Sequence, residues 1–129
     1  MPNRILISKK INPYKKKIEI SSDKSLSIRC LLLASQAIGK SYISNLLESE
    51  DVINSINIIN KMGIKIKKKK DVYEVNGLGL NGFEIKKKTK IYAGNSGTLA
   101  RLILGLLVKS NKTIILTGDK SLSKRDFSR

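Results

Sequence analysis

Two segments of the 129-residue sequence carry hydroxyl side chains, joined by a lysine in the first and an amide in the second, at spacings suited to holding an anion: Ser22-Asp23-Lys24-Ser25 and Gly94-Asn95-Ser96-Gly97-Thr98. Each falls where a strand should give way to a helix, and the first turn of a helix presents unpaired N–H groups and the positive end of its dipole. Gly97 lets a ligand approach the backbone closely, and Asn95 or Ser96 can cap the helix that follows. In Lys24-Ser25-Leu26-Ser27-Ile28-Arg29 a lysine and a hydroxyl open the helix and an arginine follows a turn later, an arrangement able to grip a phosphate or carboxylate. Lysine and arginine are common on helix surfaces, so this segment by itself is a weak signal.

Other chemistries are excluded or disfavoured. The sequence has no histidine, which removes Ser-His and Cys-His catalytic pairs and the commonest metal ligand. Cys30 is the single cysteine, so no intramolecular disulfide can form; it lies in Ile28-Arg29-Cys30-Leu31-Leu32-Leu33 and is expected to be a small core residue. Neither a metal nor a cofactor is expected. Glu50 and Asp51 can be read as an acid–base pair, but carboxylates at a helix start usually complement the dipole, and that is the expectation here. Gly39-Lys40-Ser41 lacks the first glycine of a P-loop, where Ala34 stands, and it closes a helix instead of following a strand.

A formal charge of +16 raises the possibility of nucleic-acid binding. The lysines, however, are massed in Lys15-Lys16-Lys17, Lys67-Lys68-Lys69-Lys70 and Lys86-Lys87-Lys88 with almost no aromatic side chain between them to stack on bases. Solvated strand ends and turns are the expected explanation, and no nucleic-acid partner is expected. The apolar residues, 40% of the chain, come in short runs, so no membrane helix is expected. The amino-terminal residues lack the pattern of a signal peptide, and a cytoplasmic location is expected.

The elements that must position these side chains follow from periodicity and capping. Lys17-Ile18-Glu19-Ile20 alternates as a strand, and Ser21-Ser22-Asp23 then offers caps for a helix from about Lys24 to Ala37, closed by Gly39. Ser41-Tyr42-Ile43-Ser44 reads as a strand, and Ser49 as the cap of a helix that Val52, Ile53, Ile56, Ile59 and Met62 make amphipathic and Gly63 ends. Ile64-Lys65-Ile66-Lys67 and Val72-Tyr73-Glu74-Val75 form a hairpin. A second unit runs from the strand Lys90-Ile91-Tyr92 through a helix from about Leu99 to Lys109 to the strand Thr113-Ile114-Ile115-Leu116-Thr117. A shift of 72 positions lays Arg29 on Arg101, Leu32 on Leu104, Ile43 on Ile115 and Ser49 on Ser121, which should open the next helix. The order is that of a duplicated unit interrupted before its end, and unpaired edges in such a piece favour aggregation.

Four motifs in register resemble the 5-enolpyruvylshikimate-3-phosphate synthase family. They are Lys24-Ser25-x-Ser27-x-Arg29 with Leu31-Leu32-Leu33-Ala34; Asn45-Leu46-Leu47-x-Ser49-x-Asp51-Val52; Gly94-Asn95-Ser96-Gly97-Thr98-x-x-Arg101; and Leu116-Thr117-Gly118-Asp119 leading to Lys124-Arg125. The resemblance implies an α/β fold with mixed sheets, built from repeated βαβαββ units of an inside-out α/β barrel and incomplete here. Residues 1–16 would belong to the family's other domain, residues 17–85 to a first unit and residues 88–129 to a truncated second unit. It implies transfer of the enolpyruvyl group of phosphoenolpyruvate to the 5-hydroxyl of shikimate 3-phosphate, by a monomeric enzyme of chorismate and aromatic amino acid biosynthesis.

Carried onto this sequence, Lys24, Ser25 and Arg29 would bind shikimate 3-phosphate, and Lys24, Gly97 and Arg125 phosphoenolpyruvate. Asn95, Thr98 and Arg101 would shape the turn. The acidic groups that move protons in the family fall outside the segment, so no catalytic residue is assigned and the chain alone is expected to be inactive. Where the family usually has Pro-Gly-Ser before the lysine, Ser21-Ser22-Asp23 places a carboxylate beside the anion site. The sister family acting on a UDP-sugar is the enzymatic alternative, but it has Asn where Ser25 stands and usually a loop cysteine. A basic nucleic-acid-binding module and an assembly half without activity are the non-enzymatic alternatives.

Overall fold

In the computed structural model, which describes residues 21–128, the first helix begins at the carboxylate of Asp23, whose Oδ1 accepts from the Leu26 N–H at 2.7 Å. The expected strand at 17–20 and the segment 1–16 lie outside the described residues. Helix α1 (Lys24–Gln36) turns Ser27, Ile28, Leu31, Leu32, Ala34 and Ser35 toward the core. Cys30 is exposed, against the expectation of a core position. At about 100° per residue it falls on the outward side of α1 with Leu26 and Leu33, which are 59% and 72% exposed.

The chain leaves α1 through Ala37, already extended, so Gly39 does not cap the helix as expected. It lies inside strand β1 (Ile38–Ser44), and the Ala37 carbonyl at the helix end accepts instead from the Gly79 N–H at 2.9 Å. Helix α2 (Glu50–Lys61) buries Val52, Ile56, Ile58 and Ile59, while Ile53 stays 39% exposed. Ser49 holds the capping position, but its hydroxyl makes no capping bond; its carbonyl accepts from the Val52 and Ile53 N–H groups at 3.0 Å.

Strands β2 (Lys65–Lys69) and β3 (Val72–Leu78) form the expected hairpin, and β3 also pairs antiparallel with β1 to give the order β1-β3-β2. Gly77 lies where β3 passes the carboxyl end of α1: a β-carbon there would fall 2.3 Å from the Ala37 carbonyl oxygen and 2.4 Å from that of Ala34. Strands β4 (Thr89–Tyr92) and β5 (Ile114–Thr117) are parallel and joined by helix α3 (Gly97–Leu107) in a βαβ crossover. A single turn, α4 (Lys120–Ser123), follows. It opens at Asp119, whose Oδ1 accepts from the Leu122 N–H at 2.7 Å, and not at Ser121 as the repeat register implied.

The fold is therefore mixed α/β, and the two sheets do not close into a barrel among the described residues. Ile28, Leu31, Ile59, Met62, Leu99 and Ile103 are fully buried and knit α1, α2 and α3 into one core. No helix among the described residues is long and apolar enough to cross a membrane.

The outer face of the three-stranded sheet carries Glu74 between Lys40 and Lys69, each at 3.3 Å. The Lys40 hydrogen bond first, and the Lys69 bond second, hold its carboxyl below the ordinary value of 4.5. A depressed folded-state value contributes stability at neutral pH that is lost as pH falls through the folded value. In urea unfolding followed by circular dichroism, Glu74→Gln should flatten the loss of stability below about pH 4.5. Gly77→Ala should cost about 2 kcal/mol or more in the same assay at pH 7, since the obstructing atoms are backbone.

Candidate functional site

Three helix amino ends meet at the carboxylate of Asp51, in the first turn of α2. The Asp51 side chain is 9% exposed, and its Oδ2 pairs with Lys24 Nζ of the α1 start at 2.7 Å. Asn95, with its amide nitrogen turned toward the carboxylate, donates to both oxygens at 3.1 Å. That residue directly precedes Ser96, the cap of α3, whose Oγ accepts from the Leu99 N–H at 3.1 Å. The converging dipole ends are each equivalent to about half a positive charge, and Asp51 offsets that repulsion without removing the field. The side chain of Lys24 remains 46% exposed, leaving ammonium protons free for solvent or ligand.

The first turns of α1 and α3 also touch directly, through Ser25 Oγ and Thr98 Oγ1 at 3.4 Å. The loop before α2 is fixed to α1 by Ser27, whose hydroxyl donates to the Asp23 carbonyl at 2.7 Å and accepts from the Leu47 N–H at 3.0 Å. Asp23, the carboxylate that stands beside the anion site, is engaged in capping α1. The loops that leave the carboxyl ends of β4 and β5 are laced by the Asp119 N–H, which donates to the Gly94 carbonyl at 2.9 Å. Such parallel-strand ends are where open α/β sheets bind ligands.

After α4 the chain returns toward α3. The Arg125 N–H donates to the Leu122 carbonyl at 3.0 Å, and the guanidinium lies against Gly97, where a β-carbon would stand 2.5 Å from one of its nitrogens. Gly97 is thus the floor on which Arg125 rests. The structure brings Lys24, Ser25, Gly97 and Arg125 into one cluster, linked through Thr98. Arg29 lies one turn beyond Ser25 on α1; exposed, it borders an apolar groove between α1 and α3 lined by Leu32, Leu33, Leu102 and Leu106.

Asp51 is the residue whose place in the site the sequence reading missed. The motif Asn45-Leu46-Leu47-x-Ser49-x-Asp51-Val52 contained it, but a helix-start carboxylate reads locally as a dipole partner, and its two partners are distant in sequence. Chemically, the site offers an ammonium, a guanidinium, two hydroxyls and two helix starts, all suited to phosphate or carboxylate. Among the described residues no cluster of acidic or cysteine side chains could hold a metal ion.

Fold and site together define an α/β protein whose paired helix starts carry an ammonium, a guanidinium and two hydroxyls. The chain belongs to the EPSP synthase family: the profile described as EPSP synthase (3-phosphoshikimate 1-carboxyvinyltransferase) matches residues 8–129. The 3-phosphoshikimate 1-carboxyvinyltransferase of Zymomonas mobilis is 37% identical over 125 residues, covering 96% of this chain and 27% of the relative. Its namesake from Brucella canis is 42% identical over 112 residues, covering 87% and 25%. An EPSP synthase structure from Acinetobacter baumannii superposes with a TM-score of 0.75 at 33% identity, over 85% of this chain and 25% of that one. The chain thus spans about a quarter of the length of these relatives.

Removing the Asp51 carboxylate leaves Lys24 and Asn95 without their shared partner and the α2 start without its counter-charge. Asp51→Ala should lower stability by about 1–2 kcal/mol, read as a lower urea midpoint at unchanged slope.

Proposed function

We propose that this chain forms one wall of the active site of a 3-phosphoshikimate 1-carboxyvinyltransferase. The enzyme moves the enolpyruvyl group of phosphoenolpyruvate to the 5-hydroxyl of shikimate 3-phosphate and releases phosphate, within chorismate and aromatic amino acid biosynthesis. The observation that carries this reading is the meeting of Lys24 and Ser25 at the head of α1 with Thr98 and Gly97 at the head of α3, under the Arg125 guanidinium. Both substrates are multiply anionic, and family membership supports this reaction.

In this reading Lys24, Ser25 and Arg29 hold shikimate 3-phosphate, and Lys24, Gly97 and Arg125 hold phosphoenolpyruvate. A proton added to the terminal enol carbon makes the neighbouring carbon electrophilic. The 5-hydroxyl oxygen bonds to it and gives up its proton, forming a tetrahedral intermediate. Cleavage of the bond to the phosphate oxygen, with loss of a proton from the methyl group, restores the double bond. Lys24 and Arg125 stabilise the negative charge that gathers on the departing phosphate. Asp51 is already engaged by Lys24 and Asn95, and the family resemblance puts the proton-moving acidic groups outside the segment that this chain matches. Residues 17–85 and 88–129 form two successive units of one domain, and residues 1–16 contribute to the other. No cofactor enters this scheme.

Phosphate release from both substrates is the test. The isolated 129-residue chain should show no turnover above blank. The protein expressed from its complete reading frame should turn over, and Lys24→Ala should lower its kcat/KM by about 100-fold or more. Wild-type rates in the Lys24→Ala protein would remove the assignment. Salt-sensitive DNA binding unaffected by shikimate 3-phosphate would favour the nucleic-acid alternative.

A further inference from the structure

Arg125 is carried by a short exposed segment after α4 that belongs to no helix or strand. What gives that segment a defined position against α3 is a second arginine. Arg101 Nη2 donates to the Asp126 carbonyl at 2.8 Å, and its guanidinium carbon lies 5.3 Å from the centre of the Phe127 ring. These two contacts fall on the two residues that follow Arg125.

Helix geometry explains why this matters for Arg125. Gly97 and Arg101 are four residues apart in α3 and therefore share one face, a single turn apart. The returning segment is laid along that face: the Arg125 guanidinium meets the gap at Gly97, and Asp126 and Phe127 meet the Arg101 guanidinium. Within the segment, the Ser128 N–H donates to Asp126 Oδ1 at 2.8 Å, which shapes the turn but does not tie it to α3. A planar guanidinium can donate in its plane to a carbonyl and offer its face to an aromatic ring at once, whereas an ammonium cannot do both in this geometry.

We propose that Arg101 is a positioning residue for Arg125, clasping Asp126 and Phe127 so that the Arg125 guanidinium is held over Gly97 before the anion arrives. The inference rests on the reading of Arg125 as a phosphoenolpyruvate-binding residue. Its consequence is preorganisation: with the clasp in place, binding does not have to order the segment that carries the cation. Loss of the clasp acts on phosphoenolpyruvate and leaves shikimate 3-phosphate largely untouched.

The test is a double-mutant cycle in the protein expressed from its complete reading frame, with phosphoenolpyruvate and shikimate 3-phosphate as the probes. Arg101→Ala should raise KM for phosphoenolpyruvate about tenfold, with less than about a twofold change in KM for shikimate 3-phosphate. Arg101→Lys, which keeps the charge but not the fork, should show most of that loss, and it serves in place of the alanine variant if the latter does not fold. Arg125→Ala should be worse, and adding Arg101→Ala to it should have no further effect. Additive losses, or an equal rise in both KM values, would overturn the positioning role. If Arg125→Ala leaves KM for phosphoenolpyruvate unchanged, the assignment of Arg125 falls instead, and this inference with it.

Discussion

One buried carboxylate lets three helices begin in the same place. Adjacent helix starts repel one another, because each presents unpaired N–H groups and a positive dipole end. Asp51 accepts from Lys24 and Asn95 and so ties α2 to the starts of α1 and α3. The remaining contacts depend on that arrangement: Ser25 reaches Thr98 because α1 and α3 begin side by side, and Gly97 is available to Arg125 because α3 begins at the end of β4. A neutral residue at position 51 would leave the three helix starts without their counter-charge and without the tie to Lys24. A second carboxylate there would neutralise the field of the converging helix starts.

Much of this was legible in the sequence where the cause is local. Asp23, among the three residues offered as caps of α1, and Ser96, one of the two offered for α3, cap those helices, and the Lys65–Lys69 and Val72–Leu78 strands pair as their alternation implied. Cys30 misled because an apolar run looks buried throughout, although a helix can turn only part of such a run inward. Gly39 misled because the usual glycine cap was unnecessary once Gly79, just after β3, supplied an N–H to the end of α1. Ser121 misled because the repeat register carried no information that Asp119 would reach the backbone first. The coupling of Asp51 to Lys24 and Asn95, and of Arg101 to the Arg125 segment, joins residues far apart in the chain. No local pattern encodes it.

The lysine excess and the site are physically separate matters. Lys40 and Lys69 lie on the outer face of the three-stranded sheet, where Glu74 gathers them, and Lys68 pairs with Glu48 beside Tyr73. These are water-facing arrangements in which long side chains keep their heads solvated. The site instead uses few cations, each held by a specific partner or surface: Lys24 by Asp51, and Arg125 by Gly97.

That separation divides the molecule into two dielectric worlds. At physiological ionic strength the screening length is about 8 Å in water, so dissolved salt quiets the mutual repulsion of the sheet lysines. It weakens less the contact between the half-exposed Lys24 and Asp51, whose carboxylate is almost wholly withdrawn from solvent. Dissolved salt would therefore relieve the chain of the strain of its own net charge more than it weakens the junction of its three helices.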